Sequence, residues 1–259
     1  TQGSTYNIQY IDNKKRDLKG GIDSILDLAD NIFSVYNDKS AISAFNRVDN
    51  SCIRKEKDSI LFDIMSCSLK MYELTGGAFD ITIGKLVDYW GFGNTHINND
   101  SVRLEDVFNE KGIEGLFYSD SIIVKRNSRI KIDLNGIAQG YTVDMLARYF
   151  EGVGINNFLI EVGGEVYGRG KKANGEYWHV GIEKPSKGGE RIVEKIIRLD
   201  GKALSTSGIY RKFRKKDGKQ YSHEIDPKEG KPVENNIISV SVVANDCSTA
   251  DGLSTAFMV

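Results

Sequence analysis

Apolar side chains along this chain change their period several times, and each change marks an element. Residues 3–10 alternate as a strand does, and residues 21–35 set Ile22, Ile25, Leu26, Ala29, Ile32 and Phe33 at helical spacing, with Asp23 near the positive end of the helix dipole. The polar run 34–40 breaks that helix, and Ser40 is placed to cap a short turn through Phe45 and Asn46. A longer helix over 60–74, capped by Asp58 or Ser59, turns Leu61, Ile64, Met65, Leu69 and Tyr72 to a core and stops at Gly76-Gly77. Residues 104–111 form a weaker helix, and 113–132 form short strands between polar turns. Val124, Ile130, Ile132 and Leu134 read as strand, leading past Gly136 and Gly140 into a helix marked by Ala138, Val143, Leu146, Ala147 and Phe150.

Downstream the pattern is a meander. Residues 158–170 are strand, glycine break, strand; Asn174-Gly175 turns into 177–182, and residues 186–190 turn back into 192–199. A last helix opens at Cys247. Helices near both ends with turn-linked strands between them predict an α+β fold, a mainly antiparallel sheet with flanking helices. One compact unit over residues 1–259 is expected, with two lobes around a ligand as an alternative.

Charge and cysteine content exclude several classes. The formal net charge of −1 and the absence of a long basic block give no nucleic-acid footprint. The basic run 211–216 is followed at once by Asp217-Gly218, a hairpin signal, and reads as a solvated strand end. Cys52, Cys67 and Cys247 are an odd number at wide spacing, which suggests neither disulfides nor a zinc site but buried small hydrophobes. No apolar run reaches the roughly 18 residues that cross a bilayer. The chain opens on Thr1 and stops abruptly at Val259, so both ends read as trimmed, with a leader or tether before the first residue.

Candidate chemistry lies in four stretches. Around Gly136 and Gly140, a strand-to-helix turn offers backbone donors to a phosphate, or simply makes a tight connection. Asp80 sits between Phe79 and Ile81 beside a double glycine, where it meets a ligand or caps the turn at Thr82; Tyr89, Trp90 and Phe92 suit a flat ring or form a packed corner. Ser205, Thr206 and Ser207 before Gly208 bind phosphate or make a self-satisfied turn. Asp251 and Thr255 share a helix face with Ser254 alongside, an oxygen set that suits Mg²⁺ or merely decorates a helix.

In their order, these pieces resemble the ApbE-type FAD:protein FMN transferases from about Gln2 to the end of the chain. The matching motifs are Thr75-Gly-Gly-Ala-Phe-Asp-Ile-Thr with Trp90-Gly-Phe-Gly, Asp133-Leu-Asn-Gly-Ile-Ala-Gln-Gly-Tyr with Asp144, Val162-Gly-Gly, Thr206-Ser-Gly, His223-Glu-Ile-Asp-Pro and Ala250-Asp-Gly-Leu-Ser-Thr-Ala. The resemblance implies an extracytoplasmic, tethered bacterial enzyme that splits FAD, moves FMN onto a Thr or Ser of an acceptor flavoprotein and releases AMP. It also implies an FAD site of Gln2, Tyr36, Ala78, Phe79, Asp80, Asp133, Gln139 and Ile225, and a Mg²⁺ site of the Gly136 carbonyl, Asp251, Ser254 and Thr255. Gln139 stands where Lys or Glu is frequent and Gln2 where Met is usual, and Glu165 follows the double glycine at a position of variable type. His223, a side chain that titrates near neutral pH, is the candidate base beside the catalytic Asp251, while His96 and His179 read as structural. An FAD pyrophosphatase and a non-catalytic flavin-binding protein are the alternatives.

Overall fold

The computed structural model describes residues 3–95, 97, 101–184, 192–209, 213–216 and 219–259. Gln2, His96, the turn expected at 186–190 and the Asp217-Gly218 turn lie outside the described residues. The chain begins with β1 (Tyr6–Tyr10), α1 (Lys19–Phe33), α2 (Ala41–Arg47), β2 (Cys52–Arg54), α3 (Ser59–Leu74), α4 (Gly84–Tyr89) and α5 (Leu104–Phe108). Next come β3 (Leu116–Tyr118), β4 (Ile122–Lys125), α6 (Ala138–Gly152), β5 (Phe158–Val162), β6 (Glu165–Arg169), β7 (Trp178–Lys184), β8 (Ile192–Leu199) and β9 (Lys202–Gly208). It closes with β10 (Phe213–Lys216), β11 (Lys219–Ser222), β12 (Ile225–Asp226), β13 (Lys231–Pro232), β14 (Ser239–Ala244) and α7 (Cys247–Ala256).

The main sheet has the order β1-β5-β6-β9-β14 with each neighbouring pair antiparallel, as expected, but it is not the continuous meander that residues 158–199 suggest: among the described residues β7 and β8 pair only with each other, and β9 takes the place beside β6. Strict alternation gives it two faces. Phe158, Ile160, Val162 and Ala203 point to one side and pack with Val143, Leu146 and Phe150 of α6 and Ala250 of α7. Leu159 and Leu204 point to the other, where Val180, Ile182 and Ile197 of the β7-β8 hairpin cover them. A second core joins α2, α3 and the small β2-β4-β3 sheet.

Local chemistry explains the boundaries. Ser40 caps α2 by accepting the Ser43 amide at 3.1 Å. At the end of α3, Gly76 and Gly77 adopt φ of 58° and 81°, and the Gly77 amide reaches back to the Tyr72 carbonyl at 2.9 Å, a Schellman stop that L-residues resist. Asp23 falls beyond the first turn of α1, because the helix starts at Lys19, and it accepts the Tyr6 hydroxyl and the Lys19 ammonium instead of serving the dipole. Of the cysteines only Cys247 is buried; Cys52 is exposed on its short strand and Cys67 is partly exposed. The hydroxyl run 205–207 is not a turn but part of β9, where β14 pairs with it.

Residues 130–134 show where period and pairing diverge. Their alternation is that of a strand, with Ile130, Ile132 and Leu134 all buried, yet only an isolated bridge to Ile83 is formed. A side chain substitutes for the missing neighbour: Asn46 Nδ2 donates to the Ile132 carbonyl at 2.9 Å, and the Ile132 amide donates to Asn46 Oδ1 at 2.7 Å. On the other edge the Asp133 amide donates to the Ile81 carbonyl at 2.8 Å and the Gly84 amide to the Lys131 carbonyl at 3.0 Å. Gly84 permits that approach, since a Cβ there would lie 2.7 Å from the Lys131 oxygen. Asn46→Ala orphans both buried polar groups of Ile132, so it should lower stability by about 1–3 kcal/mol. Urea denaturation checks this, with an unchanged midpoint counting against the Asn46 bridge.

Candidate active site

Between the α6-α7 layer and the segments around α4 lies a cavity of about 700 Å³, within the usual range for a small-molecule site. Its wall collects nearly all of the residues singled out from the sequence. Tyr36, Ala78, Phe79, Asp80, Asp133, Gly136, Gln139, His223, Ile225, Asp251 and Thr255 all line it, although they come from segments spread across the chain. Ser254 does not: it is fully buried behind the wall, its hydroxyl 3.2 Å from that of Ser205 and 2.8 Å from that of Ser207, and 3.0 Å from the Asp251 carbonyl. Among the aromatics, Phe92 faces the cavity, whereas Trp90 packs on Tyr221 and donates its indole N–H to the Gly230 carbonyl at 2.9 Å.

Two crossing helices set the floor. A Cβ on Gly140 would sit 2.4 Å from the Cys247 carbonyl oxygen and 2.8 Å from Asp251 Cβ, so only glycine lets α6 meet α7 there. The Gly140 amide, a donor of the first turn of α6, then donates to Asp251 Oδ2 at 2.9 Å. Reciprocally, Asp144 on α6 accepts the Cys247 and Ser248 amides at 2.7 and 2.9 Å, satisfying the start of α7. Asp246 adds the ordinary cap, accepting the Thr249 amide at 2.8 Å. The role of Asp144 was not legible in the sequence, because its partners lie a hundred residues away.

Burial dominates the electrostatics. It pushes Asp251 up to about 7, the Gly140 amide only partly offsetting it, with the like charge of Asp144 adding to the rise. Asp133 is also raised by burial, opposed by the Asn135 amide and the Lys131 charge. Asp80 is raised by burial against the Thr82 donors, whose amide and hydroxyl both reach its Oδ1 at 2.7 Å. The turn contact weighed from the sequence is therefore made, on a residue that also faces the cavity. His223, also on the cavity wall, has Nε2 3.4 Å from Glu224 Oε1 and its ring centroid 6.4 Å from that of Phe92.

The donor set near α7 fits a hard cation. Asp251 is a buried carboxylate raised in pKa with no cationic side chain acting on it among the described residues, which is the electrostatic condition a divalent ion would relieve. A Cβ on Gly136 would come 3.3 Å from Thr255 Oγ1, so the backbone there runs close against that hydroxyl. Glu165, Thr206, Ser207 and Glu224 also line the cavity and had no assigned role in the sequence reading beyond the hydroxyl run.

Comparison with known proteins agrees with this geometry. The profile of the ApbE family matches residues 2–259. The FAD:protein FMN transferase of Vibrio cholerae is 37% identical over 267 residues, covering 100% of this chain and 79% of the relative. That of Escherichia coli K12 is 36% identical over 257 residues, covering 96% and 73%. In structure, the flavin transferase ApbE of Vibrio cholerae superposes with a TM-score of 0.86 at 36% identity over 99% of this chain and 83% of that one. The flavinyl transferase ApbE of Pseudomonas stutzeri, in its apo form, gives 0.87 at 31% identity over 100% and 82%. Similar along nearly its whole length in both sequence and fold, the chain belongs to the ApbE family.

Proposed function

We propose that the chain performs the reaction for which its relatives are named, with Mg²⁺ as the cation: FMN passes from FAD to a Thr or Ser hydroxyl of an acceptor flavoprotein, and AMP leaves. The observation that carries this reading is the convergence of Tyr36, Phe79, Asp133, His223, Asp251 and Thr255 on one cavity from remote parts of the chain. The extracytoplasmic, tethered location belongs to the same proposal and rests on the family resemblance. Among the described residues no helix is long and apolar enough to cross a membrane.

Phosphoryl transfer asks mainly for positioning and charge neutralisation. Mg²⁺, when bound, neutralises diphosphate charge; Asp251, Thr255 and the Gly136 carbonyl would hold it. The chain's own groups do the rest. Phe79 and Phe92 supply apolar wall, and the Tyr36 hydroxyl donates to the Phe92 carbonyl at 3.1 Å, fixing the two relative to each other. His223 Nε2 takes the proton of the attacking hydroxyl, with the Glu224 carboxylate beside it to stabilise the imidazolium that results. Ser254 acts from behind, holding Ser207 and the last turns of α7 rather than meeting the ligand.

The deciding experiment incubates the protein with FAD and Mg²⁺, with and without an acceptor, and follows AMP and acceptor-bound flavin. Transfer gives both only with acceptor; a pyrophosphatase gives AMP and FMN without one, and a binding protein gives neither. Asp251→Ala should abolish Mg²⁺-dependent AMP release while leaving partial FAD binding, and full activity at ordinary Mg²⁺ would place the metal elsewhere. His223→Asn should lower kcat by about 10²-fold or more with FAD affinity nearly unchanged; the opposite pattern would make it a wall residue.

Linkage gives a further check on Asp251. Its folded pKa is raised from 3.8 to about 7, so the folded state holds the proton more tightly. The stability this supplies is complete below the unfolded value and is lost as pH rises through the folded one. Metal-free protein should therefore lose thermal stability between about pH 4 and 7 from this group. Mg²⁺ should raise the melting temperature more at pH 8 than at pH 5. Asp251→Asn should remove both effects, and scanning calorimetry at the two pH values with and without Mg²⁺ reads them directly.

A further inference from the structure

The ammonium of Lys131 lies where four cavity-lining segments meet. Its Nζ donates to Asp88 Oδ2 at 2.6 Å, Asn94 Oδ1 at 2.6 Å and Thr95 Oγ1 at 3.3 Å. The ion pair is shielded, with the Asp88 side chain 4% exposed and that of Lys131 17%. Each participant sits beside a different piece of wall. Lys131 precedes Asp133 by two residues, Asp88 follows Val87, and Asn94 follows Phe92 by two. Asn94 Nδ2 donates onward to the Val35 carbonyl, next to Tyr36. Asp133, Val87, Phe92 and Tyr36 line the cavity, whereas Lys131, Asp88 and Asn94 do not.

The segment that carries Phe92 depends on this cluster. Its amides at Phe92 and Gly93 donate to the Val87 carbonyl at 2.9 and 3.1 Å, and the Thr95 amide donates to Asp88 Oδ1 at 3.2 Å. A Cβ on Gly93 would fall 2.0 Å from Asp88 Oδ1, so the loop is drawn tightly over that carboxylate. Tyr36 is 60% exposed and is held at its hydroxyl, which donates to the Phe92 carbonyl and also shares a hydrogen bond with the Asn135 side chain. An exposed ion pair would organise little, but a shielded one is costly to break and so holds its neighbours in register.

We propose that Lys131, with Asp88 and Asn94, is a positioning group that presets the Tyr36 and Phe92 wall for the flavin of FAD. This rests on the FAD reading above. The group touches no substrate and acts through the geometry of the wall alone. Released from it, a wall that is correctly placed about one tenth of the time raises the apparent Kd about tenfold, since affinity scales with the competent fraction.

The test uses Lys131→Met, Asp88→Asn, Asn94→Ala and the double variant Lys131→Met/Asp88→Asn. FAD affinity is read by flavin fluorescence quenching, kcat and KM by AMP release, and folding by thermal melting. Kd and KM for FAD should each rise about tenfold in the single variants, with kcat held within about threefold and quenching of the bound flavin weakened. The double variant should raise Kd by about tenfold, as each single variant does, and not by the product of the two effects, because the two groups act as one unit. Asn94 is exposed, so its variant keeps folded protein in hand should the ion-pair variants fail to fold. An unchanged Kd in folded Asn94→Ala protein, or a fall in kcat at unchanged KM, overturns the proposal. If the unaltered chain does not bind FAD, the FAD reading falls and takes this proposal with it; that result is distinct from variants that bind as well as a binding-competent parent.

Discussion

The contact on which this molecule turns is the exchange of carboxylates between α6 and α7. Each helix start leaves amides that the helix itself cannot satisfy, and here each is served by an aspartate of the other helix, Asp251 for Gly140 and Asp144 for Cys247 and Ser248. The exchange works only at very short range, which the absence of a side chain at Gly140 permits. Helix packing, helix capping and placement of the cavity's acidic floor are thus one event. Asp251 serves structure and site together, and the burial that makes it a good cap also makes it a carboxylate that welcomes a cation.

Around that floor the walls are built on irregular backbone anchored by side chains. Residues 130–134 are held as a strand would be, but by Asn46 in place of a neighbouring strand. The loop after α4 is held by an ammonium rather than by pairing. Such backbone can take the shape a ligand requires because no regular ladder dictates it, while the buried hydrogen bonds keep it from wandering.

Most elements were legible because they obey local rules. The long helices read from spacing, the Schellman stop from its two glycines, the cap from Ser40 and the β5-β6 hairpin from its glycine break, whereas α4 was not legible as a helix and the Asn174-Gly175 turn closes only an isolated bridge between Lys171 and Tyr177. Where the sequence misled, a remote partner overruled the local pattern. Residues 130–134 alternate like a strand because they are buried, and period reports burial without saying what pairs with the backbone. The hydroxyls at 205–207 read equally as a phosphate contact or a turn; the turn is excluded because β14 claims them for a sheet, while Thr206 and Ser207 do face the cavity. For the site, motif order placed most of the lining residues, whereas the duties of Asp144, Ser254 and Lys131 follow from partners distant in sequence and carry no local signature.

The cavity has no local precursor. Tyr36 comes from the first turns of the chain, Asp133 from its middle and Asp251 from its end, and the sheet strand beside them, β9, pairs with β6 and β14. Contacts of such long separation form slowly during folding, after local helices and hairpins have come and gone many times. Ligand binding here therefore reports the assembly of segments as far apart as Tyr36 and Thr255, and no single element carries the site by itself.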